Sequence, residues 1–308
     1  MLRPTGASAA LRALGTALTL LAAGPGPAAA QDAGAGITAH EWGVWKLRRG
    51  RVTHLAELAA ETPRFVSRAA GAPALPLPDD DRPIRVSLKP VLFLYTDAPV
   101  DLTVRVRFAG GRPWLYHPPA RARGRSLTWR GRLGDPELGA LSEPPEGHWW
   151  QHLRRVGASP FRSPDGGTER FLFYDGPVRF RPSFRIRRRG GVLSYRPTGD
   201  ERVLWVVEAG GYRELEVDRR GDPVELGAGA TDDLRERLRA ELAARGLSPA
   251  EATSMLATWD HELFRVTYAR ALYFVTRRQY DRMLPLRITP SPTELVRVGM
   301  VIEELPEP

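Results

Sequence analysis

Six histidines and no cysteine limit what a reactive centre in this chain can be made of. Without thiols there is no disulfide, no cysteine-ligated zinc and no thiolate nucleophile. A transition-metal site must be built from imidazoles and carboxylates. Three places offer them. His40-Glu41-Trp42-Gly43 sets an imidazole beside a carboxylate. Neighbours in an extended segment point to opposite faces, so the two serve one site only where the backbone turns. His148-Trp149-Trp150-Gln151-His152 places two imidazoles four apart, which on a helix puts both on one face. Asp260-His261-Glu262 lies at the end of a predicted helix, where a cationic His261 faces the negative end of the dipole. The chemical reading takes His40 and His148 as ligands of a divalent, zinc-like ion. Glu41 is then a further ligand or the general base on a bound water, and the reaction class is metal-assisted hydrolysis. Beside it stands a structural reading. His40 and Glu41 form a buried polar pair that orders the first strand, Trp149 and Trp150 anchor the core, and His261 caps a dipole.

Arginine is the other residue type with chemistry to offer. Lysine and arginine together number 45 against 36 acids, and Lys46 and Lys89 are the only lysines. In Arg179 to Arg187, Phe180, Phe184 and Ile186 alternate with Arg179, Arg181, Arg185 and Arg187. Such a row grips sulfate, phosphate or uronate groups through forked hydrogen bonds, with Arg185 and Arg187 as the candidate ligand surface. Charged rows also keep edge strands from pairing with other chains. The P-loop, the dinucleotide fingerprint, the G-x-S-x-G elbow and HExxH are all absent, so no motif supports phosphoryl or hydride transfer.

The elements that must position these residues begin after a leader. Met1–Ala30 reads as a signal peptide, with Arg3 and Arg12, an apolar run over 14–23 and Ala28-Ala29-Ala30 before Gln31. It predicts an exported protein, periplasmic or extracellular. After cleavage no apolar run is long enough to span a membrane. Residues 31–83 read as an N-terminal strand and loop segment that ends in the Pro- and Asp-rich stretch 71–83. Residues 84–225 read as an antiparallel β-sandwich. Within it, 101–108 alternates strictly, Gly190-Gly191 marks a hairpin and 203–207 is a buried strand. Residues 226–308 read as an α+β segment packed on the sandwich. One helix there has Thr231 as its N-cap, Asp232 and Asp233 in its first turn, the stripe Leu234, Leu238 and Leu242, and Gly246 at its C-terminal end. The next opens at the capping box Ser248-Pro249-Ala250-Glu251, and a short one opens at Thr276 to Gln279. Strands are expected at 264–275 and 294–303. The fold class is therefore β-rich α+β, an antiparallel sandwich followed by an α+β segment.

From His40-Glu41-Trp42-Gly43 onward the chain resembles a group of exported bacterial proteins, of planctomycete and myxobacterial type, that carry an N-terminal His-Glu-Trp-Gly motif. Lys89 to Tyr95 is similar to the group's Pro-Val-Leu-Tyr-Phe-Tyr strand. His148-Trp149-Trp150 is similar to its His-aromatic-aromatic element, and Glu169 to Gly176 to its Lys-Phe-Leu-Phe-Tyr-Arg-Gly. Thr258-Trp259 and Leu284 to Ile288 match its C-terminal half. The chain departs at Val44-Trp45-Lys46, where the group has Thr-Phe-Thr, and at Asp260-His261. The resemblance implies no activity, but it singles out His40, Glu41 and His148 as residues in matched motifs.

The function expected from these features is a non-catalytic binding or structural module of the cell envelope. Its expected partner is an acidic glycan or an anionic envelope surface, and export makes nucleic acid the least favoured. The alternative is the metal-assisted hydrolase.

Overall fold

The structure is a computed structural model. It describes residues 36–48, 51–52, 62–72, 90–136, 139–208, 211–217, 224–225 and 233–305. The chain divides into the units Met1–Gly34 and Ala35–Pro308, and the described residues belong to the second. The leader, most of the 71–83 stretch and Thr231 lie outside them.

The largest sheet is organised around β1 (Ile37–Arg48). On one side β1 pairs with β19 (Glu294–Glu304), then β17 (Arg270–Val275), β14 (Val203–Glu208) and β15 (Gly211–Glu216). On the other side come β4 (Val91–Thr96), β11 (Leu172–Asp175), β6 (Leu115–His117) and β3 (Ser67–Arg68), while β2 (Arg51–Val52) pairs on β1 itself. A second sheet runs β10 (Thr168–Glu169), β9 (Phe161–Arg162), β8 (Ser126–Leu133), β5 (Val100–Arg107), β18 (Leu286–Thr289), with β7 (Arg121–Arg123) on β8. A third, smaller sheet runs β12 (Phe184–Arg189), β13 (Val192–Pro197), β16 (Val224–Glu225). The β-rich α+β class is as the alternation and capping signals indicate. The 225 boundary does not separate sheets, however, because β17 and β19 enter the largest sheet and β18 enters the second.

One pairing departs from the antiparallel expectation. β1 and β19 run parallel, with Trp42 opposite Val298 and Gly43 opposite Gly299. Residues 41–47 of β1 are buried on both faces, as parallel strands usually are. Ile37, Ala39, Trp45 and Leu47 face a core shared with Val104, Val106, Leu127 and Trp129 of the second sheet. Trp42 and Val44 face a core shared with Leu153, Leu238, Leu242, Met255 and Trp259. These last belong to or adjoin α1 (Trp150–Arg154), α2 (Leu234–Ala244) and α3 (Pro249–Thr258). The largest sheet is thus a middle layer between helices and a second sheet.

Both capping boxes are realised. Ser248 and Glu251 form a reciprocal capping box on α3, and Thr276 and Gln279 do the same on α4 (Arg277–Met283). Asp233 caps α2. Two strand expectations are corrected. β12 starts at Phe184, because Pro182 has no N–H for a ladder and the Arg179 N–H is spent on the Ala109 carbonyl at 2.7 Å. β17 starts at Arg270, because His261–Arg265 forms a π-helical turn. The Arg270 guanidinium donates to the carbonyls of Leu263, Val266 and Tyr268, satisfying oxygens that the turn leaves open.

Candidate functional site

β1 distributes its polar side chains between both layers. His40 points to the helices, and its Nδ1 lies 2.9 Å from Glu251 Oε2. Glu251 is fully buried at the start of α3, where it also accepts from the Tyr95 hydroxyl at 2.6 Å and from the Ser248 N–H at 2.8 Å. Burial pushes the Glu251 carboxyl up, but His40, Tyr95 and the Ser248 N–H outweigh it and hold the group below the usual range. Burial works against charge on His40, yet the hydrogen bond and charge of Glu251, with Glu294 adding, raise its pKa.

Glu41 faces the other way. It is fully buried and accepts from Arg297 Nε and from the Tyr174 hydroxyl. Arg297 also donates to Asp281 Oδ1 at 2.7 Å and lies 4.2 Å from the centre of the Tyr280 ring. Burial disfavours the charged guanidinium, but Glu41 and the two tyrosines overcome it and raise the Arg297 pKa. His148 precedes α1, and its Nδ1 accepts from the Trp150 N–H at 3.1 Å. His40, Glu41 and His148 therefore have different partners. The first two stand on opposite faces of one strand, because β1 does not turn there. Among the described residues no group of three or more His, Asp or Glu side chains is placed to hold a metal ion.

The interior holds two further polar clusters that sequence reading missed. Glu169 accepts from Trp150 Nε1 at 3.0 Å and from Arg154 Nη2 at 2.8 Å, with His117 Nε2 at 3.6 Å. Burial favours its neutral form, yet His117, Arg154 and the Arg170 N–H together hold its pKa low. Lys46, only 1% exposed, donates to Glu262 at 2.8 Å and lies 3.4 Å from Glu304. Each charge in these clusters has an opposite charge from the protein itself.

The surface differs. A depression of about 1240 Å³ opens between the second sheet, the 177–183 segment, β12 and α4. Arg107 enters it from β5 and Arg125 from the turn before β8. Arg179 and Arg181 come from the segment ahead of β12, and Arg185 from β12 itself. Arg278 and Arg282, four apart on α4, close it. All seven are exposed, and among the described residues Asp200 is the one carboxylate in the lining. None of the seven is ion-paired among the described residues. Arg187 is exposed on the same face of β12 but does not line the depression. The Arg185 position was readable from alternation. The i,i+4 pair Arg278 and Arg282 was readable from the α4 capping box, but nothing local joins α4 to β5.

No protein-family model, no curated protein and no solved structure matches this chain. No helix among the described residues is long and apolar enough to cross a membrane.

Proposed function

We propose that this protein is an exported, non-catalytic binding module that grips acidic groups in its arginine-lined depression. One observation carries the reading: seven arginines with no ion-pair partner among the described residues converge on a single concave surface, where one described carboxylate joins them. Guanidinium groups stay charged at any working pH and present fixed forks that match carboxylate, sulfate and phosphate. Like charges in a cleft focus the field and raise the local concentration of anions. Repulsion among them is relieved when an anion enters. Export rests on the pattern of Met1–Ala30, and with it the partner is an acidic glycan or an anionic envelope surface. His40, Glu41 and His148 lend no support to metal-assisted hydrolysis, since their side chains do not converge.

The test is calorimetric titration with polygalacturonate and with heparin at low and moderate salt. Binding is expected at low salt and weakens as salt rises. Arg185→Ala and Arg278→Ala each weaken it, whereas Arg187→Ala changes it little. Absence of binding to both polymers at the lowest salt would sink the reading.

A further inference from the structure

The depression does not end at Arg107. Arg105 stands two residues away on the same face of β5 and lines a second depression, of about 470 Å³, together with Arg121, Arg123, Arg130 and one carboxylate, Asp165. The strand register makes the two continuous. Arg107 faces Ser126, and Ser126 faces Arg123. One step along, Arg287, Arg105, Thr128 and Arg121 form a row across four strands. A further step brings Arg130 opposite Thr103. These arginines are all exposed, and each row carries a hydroxyl side chain, Ser126, Thr128 or Thr103 in turn. At the next step the positive charge stops, because Arg132 pairs with Asp101 at 3.7 Å and Arg162 with Asp135 at 3.6 Å. The outer face of the second sheet is therefore a bounded cationic track that leads out of the first depression.

Building on the anion-binding reading above, we propose that the ligand is one linear acidic polysaccharide, lying along the β5–β8 face from the α4 depression to Arg130. Four residues of β5 separate the Arg107 row from the Arg130 row, roughly 13 Å of strand. A single carboxylate or sulfate cannot span that distance, but a polymer with repeated acidic groups can. Interleaved Ser126, Thr128 and Thr103 hydroxyls suit a hydroxyl-rich chain between its charges. Two features separate this partner from other polyanions. Six of the eight tryptophans are fully buried, and the track carries no aromatic platform on which bases could stack. A lipid surface is flat and takes inserted apolar side chains, whereas this track is concave. The one large hydrophobic residue exposed among the described residues is Val192, on the third sheet.

The experiment titrates the full protein with oligogalacturonates of two, four, eight and sixteen units at low salt. It compares wild type with Arg105→Ser/Arg121→Ser, both exposed positions, after matching their melting temperatures. Affinity is expected to climb with length up to the span of the track. The double variant is expected to lose about tenfold for the long oligomers and to leave the dimer unchanged. Equal affinity for all lengths, or a double variant that binds long oligomers normally, overturns the track while leaving the depression as an anion site. No binding at any length overturns both readings. Single-stranded DNA or phosphatidylglycerol vesicles that bind as tightly as the sixteen-unit oligomer overturn the choice of a glycan.

Discussion

Replacing Glu41 separates a structural carboxylate from a catalytic one. Its side chain and that of Arg297 are both wholly buried and directly paired. Breaking a buried ion pair from one side costs about 3–5 kcal/mol, because the remaining charge keeps its desolvation penalty. Asp281, 2.7 Å from Arg297 Nη1, recovers part of that charge, but its own side chain is 46% exposed and its field is screened. The Tyr174 hydroxyl also loses its acceptor in a fully buried position, about 1–3 kcal/mol if nothing replaces it. Glu41→Gln keeps the shape and an acceptor oxygen, so the charge dominates its effect and the expected loss is about 3 kcal/mol. For a chain of this size that lowers the melting temperature by about 6–12 °C. Chemical denaturation with urea gives the free energy directly. The double variant Glu41→Leu/Arg297→Met is expected to recover much of the loss, with a coupling of about 2 kcal/mol or more in the cycle. Glu41→Gln melting within about 2 °C of wild type, with no coupling to Arg297, would refute the reasoning and reopen a role for Glu41 as a base.

Two further perturbations probe β1 and its parallel partner β19. His40 has a raised pKa, so its contribution is complete below the ordinary histidine value of 6.5 and is lost as pH rises through the raised value. Glu251 has a lowered pKa, so its contribution is complete above the ordinary 4.5 and is lost as pH falls through the lowered value. The pair is therefore strongest between about pH 4.5 and 6.5. The gap in melting temperature between wild type and His40→Gln should be widest there and shrink toward pH 9; a gap constant from pH 5 to 9 contradicts the pairing. Gly299→Ala would put a methyl group 2.5 Å from both the Trp45 ring and Val275 Cγ2 in a central strand. Overpacking of that kind costs about 1–3 kcal/mol, and an unchanged thermal melt shows that the core has more room than the structure gives it.

Local signals foretold local structure here. The alternation of 101–108 became β5, Gly190-Gly191 became the β12–β13 turn, and the two capping boxes opened α3 and α4 where they stand in the chain. These features depend on residues within a few positions of each other. What stayed hidden depends on pairing across long stretches of chain. Glu251 was visible as a capping residue, but that it also receives His40, 211 positions away, follows from the layer order alone. The parallel match of β1 with β19 is hidden for the same reason, since both read simply as strands. The strand expected over 264–275 starts late, because Phe264 and Arg265 belong to the π-helical turn His261–Arg265 that follows α3. What decides against a strand there is the Arg270 guanidinium satisfying three carbonyls. The anion site was half legible: alternation marked Arg185, but only the second sheet's approach to α4 brings Arg107 and Arg282 to one surface.

The His-Glu-Trp-Gly motif gains a physical account from this division. His40 fastens β1 to the first turn of α3, and Glu41 fastens it through Arg297 and Tyr174 to β19 and β11. Trp42 fills the helix-side core. Gly43 leaves space for the Tyr280 hydroxyl, which a Cβ there would meet at 2.9 Å. Four consecutive residues thus tie the central strand to the helix layer on one face and to its own sheet neighbours and α4 on the other. A motif of this kind can recur among proteins that share no reaction, because what it serves is the seating of β1. Function then has to be sought where charges lack internal partners. In the interior Arg297, Arg154 and Lys46 are each paired with a carboxylate, whereas Arg105, Arg107 and Arg185 have none among the described residues and look out to solvent. That asymmetry between neutralised core charges and the unneutralised arginines of this one face is the physical ground for reading this protein as a binder of acidic polymers.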